Sequence, residues 1–301
     1  MTEIKGIIAA MQTPMFEDGG INEAEMRNQI NREIEAGCDG IFCLGTNGEF
    51  YILSFEEKVR VMEIFVEEAK GRVPVYAGTG CVSTAETIAL SKKAQEIGVD
   101  VLSVITPYFA AISQDELYAH YKAVAEAVDL PIVMYNIPAR TGNKLLPETV
   151  QALCRDVENI VGAKDSSGDI ENLKAYIRLT RELDKDVAIL AGNDALILYT
   201  LMAGGKGGIT AIANILPEIM VSIYQKYLAG DIEGAKEAQS SIAPIRDCFK
   251  YGNPNSIVKC ATNLIGYPVG PCRKPFGMVG EEAQKAILDT INTYYAEYKK
   301  N

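Results

Sequence analysis

Two short apolar runs with polar ends, PIVMYN at residues 131–136 and IVGAKD at residues 160–165, begin about thirty residues apart. Both are continuously apolar rather than alternating, as in parallel strands that are covered on both faces. Six further runs of this kind recur at about the same interval, each bounded by Gly, Pro or Asp. The predicted strands are 7–11, 40–45, 73–78, 101–106, 131–136, 160–165, 187–192 and 208–213.

Helix start signals lie between these strands. Ser54, Ser83 and Ser113 each precede a glutamate by three residues, the pattern of a capping box, and Asn22 with Glu25 repeats it. Because the signals follow successive strands, the chain repeats a unit of one strand and one helix, which predicts an α/β fold, a (β/α)8 barrel. A doubly wound open sheet is disfavoured because no G-x-G-x-x-G follows the first strand.

The strand pattern stops after residue 214, and helices are predicted at 217–229, 232–248, 255–265 and 281–299. We therefore predict a catalytic barrel over residues 1–224 and a C-terminal helical region over residues 225–301. The second region is expected to serve packing or oligomer contacts.

Composition narrows the possible partners. The formal net charge of -11 and the sequence pI of about 4.8 leave no basic face for nucleic acid or anionic lipid. Neither a leader peptide nor an apolar run of about 18 residues is present, so no membrane association and a cytoplasmic location are expected.

Cysteine and histidine usage excludes several chemistries. The seven cysteines are scattered without a CxxC pair, which predicts neither a disulfide framework nor a zinc site. The single histidine, His120, falls in the middle of a predicted helix. We therefore expect no metal, and acid–base chemistry must come from Lys, Tyr, Thr or carboxylates.

In a barrel of this type the active site lies at the carboxyl ends of the strands. Lys164 ends the sixth strand, and two interpretations of it remain open from that strand alone. It either pairs with a rim carboxylate such as Asp165 or attacks a carbonyl as a free amine. The neighbouring strand ends favour the second, since Tyr135 is placed to shuttle protons and Thr46 to relay them. Polar strand ends occur at 45–49, 106–109, 135–141, 164–165 and 192–194.

These residues together resemble the dihydrodipicolinate synthase / N-acetylneuraminate lyase family of pyruvate-dependent class I aldolases. The segments that carry the likeness are 45–49, 135–138 and 164–165. The resemblance implies that Lys164 forms an imine with pyruvate without a cofactor, while Tyr135 and Thr46 move protons. It also implies that Thr46 and Asn47 hold the pyruvate carboxylate, with Gly192 and Ile209 completing the pocket.

The second substrate is less clearly specified. Arg140, followed by Thr141 and Gly142, resembles the synthase branch, in which this arginine binds the carboxylate of aspartate semialdehyde. Yet Asn47 stands where that branch has a second threonine, and Phe109, next to Tyr108, replaces a relay tyrosine that reaches across a dimer interface. The implied assembly is a homotetramer, a dimer of dimers.

Two alternatives therefore stay open. Segments 45–50, 77–81 and 270–273 resemble 4-hydroxy-2-oxoglutarate aldolases, and 2-keto-3-deoxy sugar-acid aldolases share the general layout. A barrel that binds keto acids without turnover is the alternative of another class. In every case the expected partners are a small keto acid and an aldehyde.

Overall fold

The computed structural model describes residues 2–300, in which eight parallel strands close into a barrel. Each strand pairs with the next in chain order, and the first pairs with both the second and the eighth. The (β/α)8 prediction is therefore confirmed. The strands are β1 Gly6–Ala10, β2 Gly40–Cys43, β3 Val75–Gly78, β4 Val101–Ile105, β5 Ile132–Asn136, β6 Ile160–Asp165, β7 Ala188–Ala191 and β8 Gly207–Thr210.

Helices cover the outside of the barrel. The four predicted N-cap residues, Asn22, Ser54, Ser83 and Ser113, each accept the backbone N–H three residues later, but the reciprocal bond of a full capping box forms only at Ser54 and Ser113. The helices are α1 Glu23–Glu35, α2 Phe55–Ala69, α3 Thr84–Ile97, α4 Gln114–Ala125, α5 Pro138–Thr141, α6 Pro147–Asp156, α7 Ile170–Arg181, α8 Ile197–Ala203, α9 Pro217–Leu228, α10 Ile232–Ser241, α11 Ala243–Asp247, α12 Pro254–Leu264 and α13 Glu281–Tyr294.

Alternate residues of each strand face two different cores. On β1, Ile8 points into the barrel with Phe42 and Val133, whereas Ile7 packs outward against the helices. All four side chains are completely buried. Burying an apolar side chain of this size stabilises the folded protein by about 1.5–3 kcal/mol. The alternation along each strand decides which side chains fill the barrel and which pack against the helices.

Most strand ends differ from the prediction by one to three residues, and only β6 matches at both ends. The largest difference is at β8, where pairing stops at Thr210 and residues 212–214 form a 3₁₀ turn. One predicted helix, 232–248, is divided into α10 and α11, because Pro244 lies in the first turn of α11 and cannot continue a preceding helix.

The C-terminal helices follow the eighth barrel helix, α9. The predicted boundary between residues 224 and 225 falls inside α9, which continues unbroken to Leu228. The division of the chain into two regions stays a prediction. Between residues 2 and 300 no helix is long and apolar enough to cross a membrane.

Cysteine and histidine side chains lie within the packing layers. The seven cysteines are all free and buried. His120 is buried between α3 and α4, with Nδ1 2.9 Å from Thr84 Oγ1, and burial lowers its pKa to about 4. A neutral, buried imidazole on the outer helices contributes nothing at the barrel mouth.

Candidate active site

Tyr135 and Lys164 stand side by side at the carboxyl ends of β5 and β6, where they are partners in the strand register. Lys164 also pairs with Leu190 of β7, which belongs to the core inside the barrel, so the lysine side chain points inward. Its Nζ lies 4.0 Å from the centroid of the Tyr135 ring and 5.3 Å from that of Phe42. The amine therefore sits against aromatic faces, with only 4% of Lys164 exposed.

The ion-pair interpretation of Lys164 is wrong. Asp165, one residue further along β6, faces the helices, where its carboxylate accepts four hydrogen bonds of 2.9–3.0 Å from Asn136, Ser167 and Asn172. Within residues 2–300, no lysine ion pair involves Lys164. Strand alternation thus separates two charges that are adjacent in sequence.

The Tyr135 phenol is an ionisable group next to the lysine amine. Its hydroxyl lies 3.3 Å from Thr46 Oγ1. Burial raises the pKa of the phenol, but the positive charge of Lys164 and hydrogen bonds with Thr46, Ser166 and Lys164 outweigh this effect. The pKa of Tyr135 is therefore lowered from its ordinary value, as suits a group that gives up and recovers a proton.

The turn after β2 supplies anion-binding groups. Two of its carbonyls are occupied: Thr46 O accepts from Asn255 Nδ2 at 2.7 Å, and Gly48 O accepts from Thr13 Oγ1 at 2.8 Å. By contrast, no hydrogen bond in the described chain uses the N–H of Thr46 or of Asn47. Free N–H groups beside a hydroxyl are the donors that a carboxylate requires.

A cavity of about 200 Å³ joins these groups. Seven predicted site residues line it: Thr46, Asn47, Tyr135, Arg140, Lys164, Gly192 and Ile209. A larger cleft of about 770 Å³ lies at the opposite end of the barrel, around Ile4, Val161 and Ala188. Only the smaller cavity contains the lysine and the phenol, and we therefore take it as the candidate site.

Position 192 needs glycine because neighbouring side chains come close to its backbone, rather than because of turn geometry. A Cβ there would lie 1.9 Å from Ser166 Oγ and 2.9 Å from Lys164 Cε. Glycine at the end of β7 thus leaves the space that the lysine side chain occupies.

Tyr108 and Phe109 do not line the cavity. Tyr108 packs edge-to-face on Phe50 at a centroid distance of 6.0 Å. Phe109 has φ 82° and is 98% exposed, so its ring points away from the chain's own site. The structure places these two residues beside the site rather than in it.

Other cavity residues were missed in the sequence. Ser166 follows Lys164 by two residues and shares its face, so strand alternation could have identified it. Asp194, which belongs to the predicted polar strand end 192–194, lines the cavity as well and accepts the Ala211 N–H at 3.1 Å; burial raises its pKa despite its hydrogen bond with Thr210 and the nearby positive charges.

Arg246 and Asn255 also line the cavity, and both come from the C-terminal helices. Arg246 donates to Asn193 Oδ1 at 2.8 Å. No strand-end rule applies to residues outside the barrel, so nothing in the sequence indicated that they reach the site.

A closed (β/α)8 barrel with a buried lysine beside a phenol at its carboxyl mouth is the arrangement of class I aldolases, which work through a lysine imine. Comparison with known proteins agrees. The chain belongs to the dihydrodipicolinate synthetase family, whose model matches residues 3–294.

Individual relatives span nearly the whole chain. The 4-hydroxy-tetrahydrodipicolinate synthase of Methanopyrus kandleri is 39% identical, covering 95% of this chain and 94% of that protein. The synthase of the same name from Syntrophus aciditrophicus is 39% identical over 96% and 98%. Among solved structures, YagE from E. coli K12, a member of the dihydrodipicolinic acid synthase family in complex with pyruvate, superposes with a TM-score of 0.94 at 30% identity, over 97% and 99%.

Proposed function

We propose that the chain is a class I aldolase-type lyase that joins pyruvate to an aldehyde through an imine on Lys164, and that the aldehyde is aspartate semialdehyde. The observation that carries this proposal is the buried Lys164 amine beside the Tyr135 phenol, in one cavity with the free N–H groups of the 45–49 turn. The names of the full-length relatives support it.

The first half-reaction makes the imine. The pyruvate carboxylate binds the Thr46 hydroxyl and the N–H groups of Thr46 and Asn47, which directs the keto carbon towards Lys164 Nζ. The amine attacks that carbon, the carbonyl oxygen takes the Tyr135 proton, and the nitrogen, which is now positively charged, returns one of its protons to the Tyr135 phenolate. The resulting hydroxyl leaves as water when it is protonated again, and Thr46, 3.3 Å from the phenol, relays protons.

The second half-reaction forms the carbon–carbon bond. Loss of a proton from the pyruvate methyl carbon, with the Tyr135 phenolate as acceptor, converts the imine into an enamine. The enamine carbon attacks the aldehyde carbon, whose oxygen is protonated. Water then hydrolyses the new imine, which releases the product and regenerates the Lys164 amine. Each proton is exchanged at the same phenol.

Borohydride trapping tests the imine. We expect reduction in the presence of pyruvate to add the mass of a reduced pyruvyl group to Lys164 and to inactivate the protein, because reduction makes the carbon–nitrogen bond permanent. Peptide mass spectrometry locates the adduct, and borohydride without pyruvate is the control. An unmodified Lys164 at saturating pyruvate would sink the proposal.

Arg140 is the residue proposed to choose the second substrate. Its side chain is exposed at the cavity rim and has no ion-pair or hydrogen-bond partner in the described residues. Arg140→Ala should raise the half-saturating aspartate semialdehyde concentration about 10- to 100-fold, since a charge-assisted bond contributes about 1.5–3 kcal/mol. Steady-state kinetics measures this.

Pyruvate half-saturation should stay unchanged in Arg140→Ala, and Arg178→Ala on the outside of α7 is the matched control. An equal rise in the half-saturating concentrations of both substrates, or no rise in either, would contradict the assignment.

A different aldehyde has support from two observations. The side chains of Asn47 and Phe109 carry no hydroxyl, so neither supplies the relay group of the synthase pattern; Asn47 Nδ2 instead donates to Ala10 O at 3.3 Å, and Phe109 lies outside the cavity. A 4-hydroxy-2-oxoglutarate or 2-keto-3-deoxy sugar-acid aldolase is therefore the second candidate. Assays of pyruvate with aspartate semialdehyde, glyoxylate and glyceraldehyde separate the candidates, and imine formation without turnover on any of them would indicate a keto-acid-binding barrel.

We further propose that the protein needs no cofactor and is a cytoplasmic homotetramer built as a dimer of dimers. Seven free, buried cysteines support a reducing compartment, and the fully exposed Phe109 ring supports a subunit contact at that position. Sedimentation analysis tests the assembly, and a monomer would refute it.

A further inference from the structure

A fully buried ion pair lies directly behind the carboxylate-binding turn. Glu49, the last residue of the 45–49 turn, and Lys259 of α12 are 2.6 Å apart between Oε1 and Nζ, with side chains only 0% and 1% exposed. Glu49 also accepts the N–H of Arg273 at 2.9 Å, and Lys259 donates to Pro271 O at 2.8 Å. Three chain segments therefore meet at this pair.

The same helix contacts the other end of the turn. Asn255 precedes Lys259 by four residues, so both lie on one face of α12. Its Nδ2 donates to Thr46 O at 2.7 Å and to the Tyr51 hydroxyl at 2.9 Å. Helix α12 thus binds the turn at its first polar residue through Asn255 and at its last through Lys259.

The turn needs such support because its backbone is unusual. Glu49 has φ 55°, a left-handed conformation that residues other than glycine rarely adopt. Conformations of this kind persist where the surroundings hold them. Helix α12 holds Thr46 O and the Glu49 side chain, while the N–H groups of Thr46 and Asn47, two residues that line the cavity, remain free.

We propose that Glu49, Lys259 and Asn255 are positioning residues through which α12 holds the 45–49 turn in its carboxylate-binding conformation. The inference rests on the proposed function, since it assigns these residues to pyruvate binding. Stability alone does not account for the pair, because buried ion pairs are often replaced by apolar residues of similar volume without loss. The C-terminal region then belongs to the site as well as to the packing.

The test replaces the pair by neutral residues of similar size, Glu49→Gln with Lys259→Met. Neither Glu49 nor Lys259 lines the cavity, so any change in pyruvate binding must act through the turn. We expect the pyruvate concentration that half-saturates borohydride trapping to rise about tenfold, as lost hydrogen bonds to an anion predict, while the yield at saturating pyruvate stays near that of the unsubstituted protein. A purely structural role would lower the yield and leave half-saturation unchanged.

Asn255→Leu is the second variant; it keeps the ion pair and the approximate side-chain size, adds no charge to the cavity that Asn255 lines, and removes the donor to Thr46 O. It should also raise half-saturating pyruvate, by about fivefold, and it decides the question if the double variant does not fold. Glu33→Gln is the matched control, because Glu33 is a fully buried carboxyl near the amino end of β2, where burial raises its pKa to about 8.

The outcomes separate the two proposals. No adduct in the unsubstituted protein overturns both. An adduct whose pyruvate dependence is the same within twofold in the folded variants overturns the positioning role alone. A rise in half-saturation in both variants, absent in Glu33→Gln, supports it.

Discussion

Lys164→Arg is expected to lower turnover by about 10⁴-fold or more, the largest effect of any single substitution in this chain. Arginine keeps the positive charge and most of the length of the side chain, but its guanidinium stays protonated in proteins and cannot attack a carbonyl. The imine therefore cannot form, although the cavity keeps its shape and electrostatics. Steady-state turnover and borohydride trapping with pyruvate should both be lost.

Lys206→Arg is the matched control for this loss. Lys206 lies on the barrel exterior, where its Nζ is 2.8 Å from the Asp186 carboxylate, and the same substitution there keeps that contact. Thermal unfolding of both variants should resemble that of the unsubstituted protein. If Lys164→Arg retained more than about 1% of turnover, another group would have to be the nucleophile.

The barrel could be predicted from sequence because its signals are local. Each buried strand is a continuous apolar run, and each following helix carries its own cap, as at Ser54 and Ser113. The strand ends were predicted less accurately, because a strand ends where its pairing with the neighbouring strands ends, and composition does not show that point. Strand β8 ends at Thr210 although apolar residues follow it.

The site was predictable only in part. Tyr135 and Lys164 end neighbouring strands, so chain order already placed them together. That Lys164 points into the barrel and Asp165 towards the helices could not be known from the sequence. It depends on the strand register, in which Lys164 pairs with Leu190. Contacts of Asn255 and Lys259 with the 45–49 turn span more than two hundred residues of sequence, and no local pattern encodes them.

Tyr135→Phe is expected to reduce turnover by about 10²- to 10³-fold while leaving pyruvate binding within a fewfold. The phenyl ring would still pack 4.0 Å from Lys164 Nζ, so the change removes the hydroxyl that exchanges protons with Thr46 and leaves the cavity wall in place. Measuring kcat and half-saturating pyruvate separately distinguishes these effects. Tyr118→Phe, on the outer helix α4, is the control.

The pH profile gives an independent test of the same residue. Protonation of the departing oxygen needs the neutral phenol, and the pKa of Tyr135 is lowered from the ordinary value of 10.0. Activity that depends on this proton is present below the lowered pKa and falls as the pH rises through it, so the alkaline limb should lie below pH 10. In Tyr135→Phe that limb should disappear from the residual activity. A limb that persists unchanged in the variant would assign the titration, and with it the proton transfer, to a different group.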